Sequence, residues 1–236
     1  MKNQKLQLGE NVTIYQGDCQ EVMKTLKDKS VHCVITDPPY GEKIPRRANS
    51  YGARPDVSRK ASNLKWDDHV PAKSYFGEIF RVSKNQIIFG GNYFWEQLYA
   101  TRCYIVWDKR GDMPEVPFAP TEFAWTSFTK KMSKRYISRN HGFIRDSKEK
   151  RTGHPTQKPL DVMISIVKDF TRPSDIILDP FMGSGSTGVA CLRTGREFIG
   201  IEIEPKYFEI ARQRIEKELS EPYLFEPAKA ERRYAE

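Results

Sequence analysis

Apolar and polar positions follow two rhythms along this chain, and the switches between them outline alternating strands and helices. Short apolar runs recur at Val12-Thr13-Ile14-Tyr15, Val31-His32-Cys33-Val34-Ile35, Gln86-Ile87-Ile88-Phe89, Cys103-Tyr104-Ile105-Val106-Trp107, Glu122-Phe123-Ala124-Trp125, Ile176-Ile177-Leu178 and Phe198-Ile199-Gly200-Ile201. Brief runs rich in β-branched and aromatic residues predict buried strands. Between them, apolar residues fall three and four apart, as in Val22, Met23 and Leu26, in Tyr75, Phe76, Ile79 and Phe80, and in Val162, Met163, Ile166, Val167 and Phe170. Val189, Ala190 and Leu192 continue that rhythm, and so do Phe208, Ala211, Ile215 and Leu219. Such spacing lines one face of a helix. Tyr93, Phe94, Trp95 and Leu98 predict a further helix whose aromatics belong to the core. Pro71 and Pro205 are expected to open helices, and Gly195 to close one. Strands alternating with helices predict an α/β fold.

Two strand ends carry unusual residues. Asp37-Pro38-Pro39-Tyr40 follows the run at 31–35. Neither proline donates a backbone hydrogen bond, so the strand must stop at Thr36 or Asp37. The next residues then stand at its carboxyl edge, where open α/β sheets bind ligands. A carboxylate, free proline carbonyls and an aromatic ring meet there. They suit a planar base with an amino group: the carboxylate and a carbonyl accept its two N–H protons while Tyr40 stacks on its face. The plainer alternative is a proline-rich turn that contains an Asp. The second strand end is Asp179-Pro180-Phe181-Met182-Gly183-Ser184-Gly185-Ser186-Thr187, which leads into a helical pattern. Strand, glycine-bearing turn and helix form a nucleotide-type site. The spacing is not Gly-x-Gly-x-x-Gly, and no Gly-Lys-Ser/Thr follows. Glu202 ends the next strand, where an acid commonly holds ribose hydroxyls.

These two motifs, in this order, resemble the beta-class amino DNA methyltransferases that use S-adenosylmethionine, the DNA adenine-N6 and cytosine-N4 methylases. The resemblance spans roughly residues 11–218. It implies a Rossmann-like methyltransferase fold with a mixed seven-stranded sheet, helices on both faces, the catalytic motif placed before the cofactor motif in a permuted order, and a small target-recognition insert. Asp37 and Asp179 are then expected to end adjacent strands. Asp37, Pro38, Pro39 and Tyr40 would be the catalytic set. The cofactor set implied by the resemblance is Asp18, Cys19, Asp37, Thr156, Gln157, Lys158, Asp179, Pro180, Phe181, Gly183, Ser184, Gly185, Ser186, Glu202 and Ile203. Within it, Asp18 lies near the adenine, although a helix N-cap explains an Asp there equally well. Thr156, Gln157 and Lys158, inside His154-Pro155-Thr156-Gln157-Lys158-Pro159, help hold the methionine end; the alternative is a simple turn before a helix. Trp107 either supports the wall of the base pocket or is plain packing.

Composition sharpens the partner. The 236 residues carry a net charge of +8, and a polyanion is the natural complement. One domain over 1–236 is expected. Arg46, Arg47, Arg54, Arg59 and Lys60 crowd a loop over 42–68 that would clasp DNA, or else be a solvated insert. Lys130, Lys131, Lys134, Arg135 and Arg139 crowd a basic stretch over 128–153, where the resemblance implies a small target-recognition region. Double-stranded DNA is thus the expected partner, and a homodimer is left open. No apolar run nears the ~20 residues that span a membrane, and the start of the chain lacks a signal-type stretch, which suggests a cytoplasmic protein. Four scattered cysteines without a Cys-x-x-Cys pair suggest reduced thiols and no metal site. The expected activity is methylation of the N6 amino group of adenine in duplex DNA after the base is flipped out. An Asp at the head of the motif leans that way in the family. N4-cytosine methylation is the runner-up, followed by RNA or protein-glutamine methylation and by a silent DNA-binding subunit.

Overall fold

The computed structural model describes residues 3–41, 70–113, 119–141, 144–147, 149, 152, 154 and 156–221. In chain order the strands and helices are β1 (Gln4–Leu8), β2 (Val12–Gln16), α1 (Cys19–Met23), β3 (Val31–Thr36), α2 (Lys73–Val82), β4 (Ser83–Phe89), β5 (Tyr104–Asp108), β6 (Thr121–Thr126), β7 (Lys134–Ile137), β8 (Asn140–His141), β9 (Ile144–Arg145), α3 (Leu160–Phe170), β10 (Ile176–Asp179), α4 (Ser186–Arg193), β11 (Glu197–Glu202) and α5 (Pro205–Ser220).

Among the described residues these strands build a nine-stranded sheet in the order β1-β2-β11-β10-β3-β4-β6-β5-β7, with β8 and β9 as a separate small hairpin. Strands β2, β11, β10, β3 and β4 run parallel, and β6 enters antiparallel between β4 and β5. The seven expected strands are the central ones, and each edge carries one more. Both extra strands are polar: β1 reads Gln-Lys-Leu-Gln-Leu and β7 reads Lys-Arg-Tyr-Ile, largely exposed. Edge strands favour such residues because charge discourages pairing with other chains, and the same polarity hid these two from an apolar-run reading.

Side-chain alternation fills both faces. Cys33, Ile35, Ile87, Phe89 and Ile177 join α3, α4 and α5 on one side, whereas Val34, Ile88, Leu178 and Ile201 join α1 and α2 on the other. Gly195, at φ 71°, closes α4 as expected. Several local expectations need correction. Pro71 lies ahead of the first turn, since α2 begins at Lys73. Leu26 lies beyond α1, and Leu219 is 37 % exposed near the end of α5. No α-helix forms at Tyr93–Leu98: a 3-10 turn covers Gly91–Tyr93, and only Phe94 is buried completely, while Tyr93 and Trp95 are 41 % and 73 % exposed. The Gly90 amide donates to the Phe123 carbonyl at 2.7 Å, so β6 holds the start of this segment.

Candidate active site

The prolines end β3 where expected, and the neighbouring strand completes the site. β10 pairs with β3 in parallel, Ile177 opposite Cys33 and Leu178 opposite Val34, so Asp37 and Asp179 do end adjacent strands. The Thr36 hydroxyl donates to Asp179 Oδ1 at 2.8 Å, and the Thr187 hydroxyl to Oδ2 at 2.6 Å. The Phe181 amide adds a third bond to Oδ1 at 3.2 Å. Asp179 therefore ties together the end of β3, the glycine turn and the start of α4. Burial pushes its carboxyl up to about 6, against the pull of these donors.

Two cavities meet at this edge. One, of about 200 Å³, is lined by Asp37, Pro38, Pro39 and Tyr40, by Thr156, Gln157 and Lys158, and by Asp179, Phe181, Gly183, Ser184, Ser186, Glu202 and Ile203. The other, of about 430 Å³, is lined by Asp18, Cys19, Pro180 and again Pro39, Phe181, Glu202 and Ile203. Gly185 lines neither. Its φ is +77°, and an added Cβ would lie 3.0 Å from Ala211 Cβ, so it serves the turn and the docking of α5. Asp18 does act as an N-cap, accepting from the Gln20 amide at 2.7 Å, yet its other oxygen lies 3.5 Å from the Tyr75 hydroxyl on the wall of the larger cavity.

Glu202 sits where the two cavities join. Its carboxylate accepts from the Gly183 amide at 2.7 Å and the Glu204 amide at 2.8 Å. Burial still pushes it up to about 7. On the far side, the Tyr40 hydroxyl donates to Asp37 Oδ1 at 2.5 Å, and the Lys158 ammonium is paired with Oδ2. The Tyr40 ring packs 4.9 Å from Tyr93 and 6.0 Å from Phe94.

Sequence reasoning missed several lining residues: Phe89, Glu122, His154, Met163, Thr187 and Tyr207 on the smaller cavity, and Pro71 and Tyr75 on the larger. Glu122 and Tyr75 carried no signal, because each sits within an apolar run that reads as packing. His154 opens the hexapeptide before α3; burial pulls its ring down to about 4, so it is neutral, 4.3 Å from the Tyr207 ring. Arg214 on α5 was also missed. It bonds the Ser184 carbonyl and pairs with Glu149, which in turn accepts from Gln157 at 3.0 Å.

Comparison with known proteins decides the family. The DNA methylase family model for N6 and N4 enzymes matches residues 122–213. The crystal structure of the M1.HpyAVI–SAM complex is 30 % identical, with a TM-score of 0.56, over 86 % of this chain and 99 % of that one. The chain belongs to the S-adenosylmethionine-dependent DNA amino-methyltransferases. Among curated relatives of this methyltransferase, the Type II methyltransferase M2.MboI of Moraxella bovis is 25 % identical over 86 % of this chain and 87 % of its own length. The cytosine-N4-specific PvuII DNA methyltransferase shares the fold, with a TM-score of 0.60 at 17 % identity over 87 % of this chain and 86 % of that one.

The joined cavities of this methyltransferase fit its cofactor chemically. They offer carboxylates at the junction and at Asp18, an aromatic wall from Phe181 and Tyr75, and polar groups from Thr156 and Gln157. The basic residues behave differently. Arg46, Arg47, Arg54, Arg59 and Lys60 lie outside the described residues. Lys130, Lys131, Lys134, Arg135 and Arg139 line neither cavity. Three of these face acids of their own chain, in the pairs Lys134–Asp169, Arg135–Asp108 and Arg139–Asp146. Lys131 donates to the Asp169 carbonyl at 2.5 Å. Trp107 is buried, donates to the Ser138 carbonyl at 2.9 Å and lines neither cavity, which is packing. No described helix is long and apolar enough to cross a membrane.

Proposed function

We propose that this methyltransferase modifies the N6 amino group of adenine in duplex DNA, with the target base turned out of the helix. The observation that carries the reading is an Asp at the head of Asp37-Pro38-Pro39-Tyr40, on the cavity that adjoins the glycine turn. In this family Asp leans toward adenine, and Ser is commoner in N4-cytosine enzymes. S-adenosylmethionine supplies a methyl group on a sulfonium that is already a good leaving group.

The chain's own residues do the rest. An exocyclic amino nitrogen is a weak nucleophile, because its lone pair is delocalised into the ring. Asp37 and the Pro38 carbonyl accept hydrogen bonds from its two N–H groups, which favours a pyramidal nitrogen with a localised lone pair. As the N–CH3 bond forms the S–CH3 bond breaks, the electron pair stays on sulfur, and one N–H proton is lost towards Asp37. Asp37 already accepts from Tyr40 and Lys158, one on each oxygen, and each oxygen keeps a second lone pair for a substrate proton. These fixed acceptors stabilise the positive charge that grows on nitrogen, and alignment supplies much of the remaining rate. Tyr40 stacks on the displaced base, a contribution of roughly 1–3 kcal/mol. Glu202 holds ribose hydroxyls, Asp18 lies by the adenine of the cofactor, and Thr156 and Gln157 meet its methionine end. The whole chain acts as a single domain, with 42–68 and 128–153 as its DNA-contacting segments, in the cytoplasm.

Incubation with methyl-labelled S-adenosylmethionine and duplex DNA, followed by nucleoside analysis, tests this. The label is expected in N6-methyldeoxyadenosine. Label in N4-methyldeoxycytidine would overturn the choice of base.

A further inference from the structure

Lys158 belongs by sequence to a motif assigned above to the cofactor, yet its side chain is committed elsewhere. Its backbone carbonyl accepts from the Ser186 hydroxyl at 3.0 Å, on the cofactor side. Its ammonium turns the other way, onto Asp37 Oδ2, and lies 3.1 Å from Glu122 Oε2 and 5.1 Å from the centre of the Phe89 ring. The side chain is 9 % exposed, and a buried ammonium persists only with compensating charge. Glu122 is in turn paired through Oε1 with Lys109, whose ammonium lies 4.7 Å over the Trp107 ring. Four segments thus form one row of alternating charge: Asp37 after β3, Lys158 before α3, Glu122 on β6 and Lys109 after the neighbouring β5. Glu122 Oε2 is buried and has no geometrically sound hydrogen bond among the described residues, so the attraction of Lys158 is what compensates it.

We propose that Lys158 is a positioning residue for Asp37, held in place by Glu122, and that the row keeps the Asp37 carboxylate ionised and aimed into the cavity. This rests on the reading of Asp37 as the acceptor for the target amino group. The groups that face Asp37 are Tyr40 on its own loop, Lys158, Glu122 on β6 and Asp179 at the end of β10; Lys109 stands behind Glu122, and neutral His154 stands near Lys158. Burial raises the Asp37 carboxyl above its ordinary value. Lys158 works against that rise and Glu122 works with it.

The two partners therefore give opposite signs, which a merely structural prop would not. The experiment is single-turnover methylation across pH by the full chain, with cofactor and duplex saturating, alongside cofactor binding by calorimetry. In Lys158→Gln the acidic limb of the rate should move up by about one pH unit or more, with about tenfold less rate below both limbs and recovery at high pH. In Glu122→Gln the limb should move down. Cofactor affinity should stay within about threefold in both. A limb unmoved in both variants overturns the proposal. So does a Lys158→Gln protein that loses cofactor affinity with its limb in place, because the ammonium then serves the cofactor. If Lys158→Gln does not fold, the direction of the Glu122→Gln limb decides. A wild-type product other than N6-methyladenine, with both limb shifts intact, overturns the adenine reading and leaves the row standing.

Discussion

Asp37 already takes two hydrogen bonds from its own chain, so its contribution to rate and to binding should separate. Asp37→Asn keeps the volume and removes the charge. Cofactor and DNA affinity should hardly change, while single-turnover methylation falls by about 10²-fold or more, as expected when an acceptor acts mainly in the transition state. Near-normal turnover would take Asp37 out of the mechanism. Tyr40 has two contributions of different size. Tyr40→Phe keeps the ring and loses the hydroxyl on Asp37, worth about 1 kcal/mol, or about fivefold in rate. Tyr40→Ala also loses the ring and should weaken capture of the base, read as weaker binding to a duplex with a mismatched target. Glu202 gives a pH test. Its carboxyl stands at about 7, raised by burial, so it is neutral below that pH and ionised above it. A carboxylate accepts from ribose hydroxyls more strongly than the neutral acid does. Cofactor affinity should therefore weaken as pH falls through about 7, and Glu202→Gln should flatten that profile in calorimetry. A wild-type profile flat across this range would mean that another group holds the ribose.

At the scale of elements, the exit of β4 fixes the place of the Tyr40 ring. Gly90 has φ +69°, and a Cβ there would lie 2.1 Å from Tyr40 Cε1. The position thus requires left-handed backbone and leaves no room for a side chain. Gly90→Ala should lower thermal stability by about 1–3 kcal/mol, and it should displace the Tyr40 ring and slow methylation with little change in cofactor affinity. A variant with wild-type melting and turnover would show that the turn is plastic. The neighbouring residues 91–98 mark the limit of pattern reading. Their spacing is helical, but the Gly90 amide is bonded to β6, a 3-10 turn covers only Gly91–Tyr93, and Trp95 points outward. By contrast, α3 follows its pattern closely, with Val162, Met163, Ile166, Val167 and Phe170 all buried. Those residues share one apolar cluster with Cys33, Ile35 and Ile177 of the sheet, so local periodicity and tertiary packing agree.

Over the whole molecule, net charge and usable charge differ. The chain carries +8, but Lys134, Arg135 and Arg139 already face Asp169, Asp108 and Asp146. Binding to duplex DNA should weaken with salt, with a log–log slope of about −0.9 per phosphate neutralised. Arg46→Ala with Arg47→Ala should reduce the slope by about 0.9 for each arginine that meets a phosphate. Arg135→Ala should reduce it less, because exposing Asp108 changes a pair rather than freeing a phosphate ligand. Equal losses from both sets would show that the internal pairs open on DNA.

The sequence alone determined where strands stop and where backbone must turn sharply, because proline and glycine act locally. That is why the edges at Asp37 and Asp179, the glycine turn and the acid at Glu202 were legible. It also held the likeness that named the chemistry. Tertiary structure decided which groups meet. Glu122 reaches Lys158 only because β6 inserts antiparallel beside β4, and β7 finds a place only because β5 offers an open edge. The same holds for Arg214, which reaches the glycine turn from another element. Such contacts depend on strand order and helix placement, which set distances across the fold that spacing along the chain does not encode.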